Sequence, residues 1–189
     1  MKYIKHGCVI LFTLFVTVVS AQTFGVKVGG GNGNLRIEYD KPEDIVKGEN
    51  INGIEAGLFL QLDLNGLYVR PEALYLNRLG TVNHTDNSPI SIHRIQFPVI
   101  VGLHLLGPLS IEGGPAYNHI LEINHELGND VRIRRDGLGY RIGPVLHFNR
   151  VMLYANYEGQ VISLGTGSRL SEPSRLNFGV GLALGKKHF

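Results

Sequence analysis

From Ile54 to Leu64 every second residue is apolar: Ile54, Ala56, Leu58, Leu60, Leu62 and Leu64. Glu55, Gln61 and Asp63 stand among the residues between them. A period of two marks a β-strand with two chemically distinct faces, because successive side chains leave a strand on opposite sides. If the leucines point inward, the chain is a soluble barrel or sandwich. If they point outward, its solvent is lipid.

The same period recurs in eight segments, at about 23–30, 52–64, 66–78, 92–104, 108–119, 137–148, 150–163 and 174–185. Clusters of Gly, Asn, Pro and Asp bound them, and no long amphipathic helix interrupts the series. Three connections are short: Asn65-Gly66, a strong hairpin dipeptide, then Leu105-Leu106-Gly107 and Asn149-Arg150. The others, at about 31–51, 79–91, 120–136 and 164–173, are long and polar. Short and long alternate strictly. An up-and-down membrane barrel has this pattern, with tight turns on one side of the bilayer and long loops on the other.

Assigning faces by alternation separates the chemistry. One face collects Phe24, Val26, Val28, Leu58, Val99, Val101, Ile142, Leu153, Phe178, Val180 and similar residues, with no charge among them. The other collects Lys27, Glu55, Asp63, Arg70, Glu72, Arg94, Glu112, Arg141, Glu158 and Arg175, together with Gln61, Gln96, Asn118, Asn156 and Asn177. An Arg or Lys facing lipid near the midplane costs about 2–4 kcal/mol, so in a membrane the charged face must be the lumen. A lipocalin-like soluble barrel, apolar inside and charged outside, satisfies the same alternation. The inverted barrel is favoured by segment length, since a tilted membrane strand needs ~9–11 residues. A charged face rich in Gly, Gln and Asn and poor in Lys also favours it.

Residues 1–21 read as a signal peptide. Lys2 and Lys5 precede an apolar run from Gly7 to Val19, and Val19-Ser20-Ala21 is a small-residue cleavage site. The run is shorter than the ~20 residues of a membrane helix. Residues 22–189 are then a single barrel domain. The only cysteine, Cys8, lies in the leader, which leaves the mature chain without disulfides or a thiol nucleophile. Removing Lys2 and Lys5 reduces 18 basic residues to 16, equal to the 16 acids. A neutral mature chain has no broad footprint for nucleic acid.

The blocks TFGVKVGG, YVRPEALYLNRLG, IHRIQFPVIVGL, LSIEGGPAYNHIL and LNFGVGLALG, in that order, resemble the PorT-like outer-membrane β-barrel family of Gram-negative bacteria. The resemblance implies an eight-stranded barrel in the outer membrane, with outer-membrane lipid and the barrel-assembly machinery as its partners. Most members of that family have no assigned activity. The name-giving member is associated with a secretion apparatus, and barrel motifs alone do not carry that association over. One departure concerns the C-terminus. The lipid-facing row of the last strand is Val180, Leu182 and Leu184, whereas Phe189 has the opposite parity.

Lys27, Glu55, Arg70, Glu72, Arg94, Glu112, Arg141, Glu158 and Arg175 are thus expected to form a structural charge network in a narrow lumen. A narrow ion path is the alternative. Tyr75, Tyr117 and Tyr140 fall near the long-loop ends of their strands and are expected in an aromatic girdle. Glu55 and Glu72 suggest acid/base chemistry only weakly, without a nucleophile motif. His84, His119 and His125 read as solvated loop histidines, and no metal or other cofactor is expected. The function expected from the residues is that of an integral outer-membrane structural or interaction protein without enzymatic activity. A ligand-binding lipocalin-like barrel remains open.

Overall fold

The period-two segments become the staves of one closed antiparallel barrel. The computed structural model of the 189-residue chain describes residues 22–38, 45–82, 88–125, 135–164, 169–171 and 174–184. Residues 1–21, expected from sequence to be a leader, His84 and residues 185–189 lie outside the described residues. The strands are β1 (Gln22–Glu38), β2 (Ile45–Leu64), β3 (Leu67–Val82), β4 (Ser88–Leu106), β5 (Leu109–His125), β6 (Asp136–Phe148), β7 (Val151–Leu164), β8 (Arg169–Ser171) and β9 (Arg175–Ala183). Each of β1 to β6 pairs with the next, β7 pairs with β9, and β9 pairs with β1 to close the ring. The short β8 pairs with the upper end of β1, from Arg36↔Ser171 to Glu38↔Arg169. Strands β8 and β9 are therefore successive parts of one stave, and the barrel has eight.

The stagger follows from the register. From Tyr157, one direction passes through Leu176 to Asn32 of β1. The other passes through Ile142, Gly113, Val101, Val69 and Leu62 to Gln22 of β1. The two arrivals are ten residues apart along β1. Eight strands with this shear tilt steeply and enclose a bore that side chains can fill.

The structure decides which face is inside. Phe24, Val28, Leu58, Val99, Ile142, Leu153, Phe178 and Val180 point outward and are 42–58% exposed. Lys27, Glu55, Arg70, Glu72, Arg141 and Arg175 are buried. A belt of this size cannot face water, so the barrel is of the transmembrane kind; the lipocalin arrangement has the opposite polarity and is ruled out. Two details differ from the sequence reading. Asp63 is exposed at the turn end rather than in the lumen. Arg78, whose parity matches Arg70 and Glu72, is fully buried inside.

The short turns close one rim. Asn65 (φ 43°) and Gly66 (φ 90°) both take the left-handed conformation required by a two-residue hairpin of type I′. The turn carbonyls are covered by neighbouring strands: His104 N–H donates to Gly66 O at 3.0 Å and His147 N–H to Pro108 O at 2.8 Å. At the opposite rim the strands continue past the membrane. β1, β2, β4 and β5 have 17, 20, 19 and 17 residues. The flanks of the expected long loops are therefore paired strand, as at Asn34↔Asn50 and Ser91↔Asn124. Beyond the bilayer both faces of a strand meet water, so the alternation fades while the ladder goes on.

The prolines mark where the ladders open. Pairing is interrupted opposite Pro71 between Phe59↔Glu72 and Leu62↔Val69, and beside Pro144 between Ile142↔Tyr157 and Val145↔Tyr154. Pro98 and Pro115 border similar gaps. Register is unchanged across each gap, so these are weak ladder positions rather than bulges, as a residue without an N–H donor requires.

Candidate functional site: a charged lumen under an aromatic rim

Inward alternation on every stave brings the charged side chains together along the barrel axis. Near the turn end, Arg70 on β3 pairs with Glu112 on β5, which also accepts from the Tyr68 hydroxyl at 2.7 Å. Arg70 Nε donates to Glu72 at 2.9 Å, and Lys27 Nζ on β1 donates to both oxygens of Glu72 at 2.9 and 3.1 Å. Higher up, Arg141 on β6 donates to both oxygens of Glu55 on β2 at 2.8 Å, while the Tyr154 hydroxyl donates to the same carboxylate at 2.9 Å.

Arg141 joins two tiers of this network. Its Nη1 lies 3.6 Å from Glu72 below, and its Nε lies 3.5 Å from Glu158 above. Glu158 on β7 is the upper centre. It pairs with Arg175 and with Arg94 (3.3 Å), and accepts from Gln96 Nε2 at 2.6 Å and Asn177 Nδ2 at 3.3 Å. All nine charged residues named from sequence thus stand within one connected set, with Arg78 beside it donating to Asn177 Oδ1 at 3.2 Å.

The lumen is not wholly polar. Phe59, Val145, Met152 and Tyr154 form a buried apolar cluster. Arg70 lies 5.8 Å from the Phe59 ring centre and 5.3 Å from that of Tyr68, and Lys27 sits 4.1 Å from the Tyr154 ring centre. These aromatic faces supply attraction to cations held away from water. The sequence reading missed Tyr68 and Tyr154, although both carry the parity of the charged face. Their amphipathic character hides them among the lipid-facing aromatics.

Each buried carboxylate faces at least one guanidinium or ammonium group. Glu55 and Glu72 in particular are each held by cations at 2.8–3.1 Å, so neither is poised as a free base. Below the outer mouth, Arg94, Arg175, Glu158, Asn118 and Gln160 line a void of about 30 Å³. That is room for a water molecule or so.

Outside the wall, Tyr75, Tyr117 and Tyr140 point outward and are 38–46% exposed. Tyr157, placed by alternation on the apolar face but not expected in the girdle, lies beside Tyr140 with tilted rings whose centres are 6.3 Å apart. Polar partners stand just above. Tyr75 shares a hydrogen bond with His93 Nδ1 at 2.6 Å, and Asp136 accepts from Tyr117 at 2.6 Å and contacts His119 Nδ1 at 2.7 Å. Asp136 opens β6 above the rim, and the Tyr117 hydroxyl, followed by the His119 ring, holds its carboxyl below the usual range. His119 is therefore engaged rather than merely solvated. The side chain of His125 lies outside the described residues. Among the described residues no three metal-binding side chains cluster.

Two solved structures share this architecture. Neisserial surface protein A is 16% identical, with a TM-score of 0.51, and covers 84% of this chain and 97% of its own. Ail, the attachment invasion locus protein of Yersinia pestis, solved with the heparin analogue sucrose octasulfate, is 14% identical with a TM-score of 0.50. It covers 85% of this chain and 97% of its own. At these identities the likeness is one of fold. No family model matches the chain, and no curated sequence does.

Proposed function

We propose that the protein is an integral outer-membrane barrel of a Gram-negative cell, without enzymatic activity, that serves as a rigid anchor for contacts made by its loop-side hairpins. The observation that carries this reading is the inverted wall, apolar outside and charged inside, bounded on the loop side by tyrosines. The order of the sequence blocks supports a place among PorT-like barrels. Fold neighbours named for the cell surface and for attachment support the assignment of contacts to the protruding end.

The lumen acts as a strut rather than a conduit. Its charges bind one another across the bore, and the void below the outer mouth has room for about one water molecule. Export through the leader at residues 1–21 and insertion by the barrel-assembly machinery complete the reading. Cell fractionation tests it. The detergent-extracted membrane fraction is expected to contain a band whose migration changes on heating; recovery as a soluble periplasmic protein overturns it.

A further inference from the structure

The tyrosine rim is incomplete. Among the described residues β3, β5, β6 and β7 carry outward tyrosines, whereas β4 and the three adjacent staves β9, β1 and β2 carry none. At the loop-side level the outward residues of β1 and β2 are Asn32 and Asn52, paired directly opposite one another, with Leu176 on β9 beside Asn32 and Asn77 on β3 opposite Ile54. These carboxamides line a groove of about 570 Å³ whose apolar walls include Ile54, Leu79 and Phe178. Ile54 and Phe178 are 65% and 58% exposed. Asn77 Oδ1 is shielded from water and has no hydrogen-bond partner. A turn of its carboxamide presents this acceptor to a donor in the groove.

A second groove, of about 610 Å³, lies on the same staves closer to the membrane centre, lined by Val26, Val28, Ala56, Leu58, Val180 and Leu182. Gly30 connects the two, since it pairs with Ile54 on one side and Phe178 on the other. Its outward side has a single near neighbour: a Cβ there would meet Gly53 O alone, at a tight 3.1 Å. The inward glycines beside it differ, for a Cβ at Gly29 or Gly31 would collide with neighbouring chain at close to 2 Å. Interior crowding explains Gly29 and Gly31. The gap at Gly30 leaves an external channel that joins an amide-lined head to an apolar trough.

We infer that this channel is a binding site for one acylated sugar lipid of the outer leaflet, with an acyl chain in the Val28–Ala56–Val180 trough and hydroxyl or amide donors of the headgroup on Asn32, Asn52 and Asn77. The site faces the bilayer, so its occupant is a lipid. Neutral carboxamides, with an acceptor lacking a donor, select a headgroup that offers O–H and N–H rather than a bare phosphate, which brings no donor and calls for cations. The inference rests on the outer-membrane reading above.

Native mass spectrometry of the detergent-solubilised full mature chain tests it, with lipid A as the glucosamine-based probe and phosphatidic acid, whose headgroup is phosphate alone, as the comparison. A saturable one-to-one lipid A adduct is expected, at least tenfold favoured over phosphatidic acid. Asn77→Leu and Ala56→Leu should each weaken it about tenfold, while Ile111→Leu on β5, opposite β1 in the ring, leaves it unchanged. Both changes place an aliphatic side chain toward lipid, and heat-modifiable migration confirms that each variant folds. No adduct, equal adducts on all variants, or equal binding of the two lipids overturns the site, as does a dimer of the chain that Ala56→Leu abolishes. A folded membrane barrel that gives any of these results refutes the lipid site alone; absence from the membrane refutes the outer-membrane reading.

Discussion

Glu55 and Arg141 meet across the full width of the barrel. They stand on β2 and β6, four staves apart in a ring of eight, and Arg141 Nη2 reaches both carboxylate oxygens at 2.8 Å. The pair is a cross-brace: it fixes the distance between opposite walls, which wall hydrogen bonds alone do not.

Breaking that brace should destabilise the barrel strongly. Removing one member of a buried pair leaves an uncompensated charge, at a cost of about 3–5 kcal/mol. Arg141→Met is expected to lower the detergent unfolding temperature more than Glu55→Gln, because Arg141 also faces Glu72 and Glu158. The double variant should be less impaired than the two losses added together, a coupling that a double-mutant cycle reads directly. Additive losses would deny the pair.

In the upper tier, Arg94→Ala should also lower the unfolding temperature, by removing a partner of Glu158. An unchanged transition would show that Arg94 carries no part of the network.

Two inward glycines are fixed by close approach of the neighbouring strand. A Cβ at Gly143 would lie 1.9 Å from Ala155 O, and one at Gly114 would lie 2.0 Å from Val99 O. Both precede a proline where the ladder opens. Gly143→Ala and Gly114→Ala should therefore sharply reduce the heat-modifiable folded band, whereas Gly30→Ala should retain it. Refolding yields on a gel compare all three.

A lumen filled by its own charges should not conduct. In planar bilayers the purified barrel is expected to give a flat current trace; reproducible single-channel steps would show that the network opens.

At the rim, Asp136 should titrate below an ordinary aspartate. A lowered folded-state pKa contributes stability above the unfolded value, 3.8, that is lost as pH falls through the folded one. Tyr117→Phe should raise the Asp136 pKa toward that value, which carboxyl chemical shifts measured against pH will show.

The wall was legible in the sequence because lipid and lumen demand opposite chemistry at every second residue. Asn65-Gly66 announced its turn through the left-handed backbone that both residues adopt. What escaped has physical causes. Strand ends such as Arg36–Glu38 and Ile45–Lys47 pair in water, where alternation carries no hydrophobic signal. Phe59 and Tyr154 face inward as apolar bodies packed against cations, and residue type alone assigns them to the lipid side. Asp63 has the lumen's parity but sits at the turn end, where parity no longer means burial.

The central claim is that the apolar face meets lipid. Residues 22–189 contain no cysteine, so in that span single nitroxide labels can be placed at Leu58, Val99, Leu153 and Val180 and, for contrast, at Asp63 by the turn. Electron paramagnetic resonance of the reconstituted barrel should give high collision rates with oxygen and low rates with a water-soluble nickel chelate at the first four positions, and the reverse at Asp63. Ready access of the nickel chelate to Leu58 and Val180 would contradict the inverted barrel.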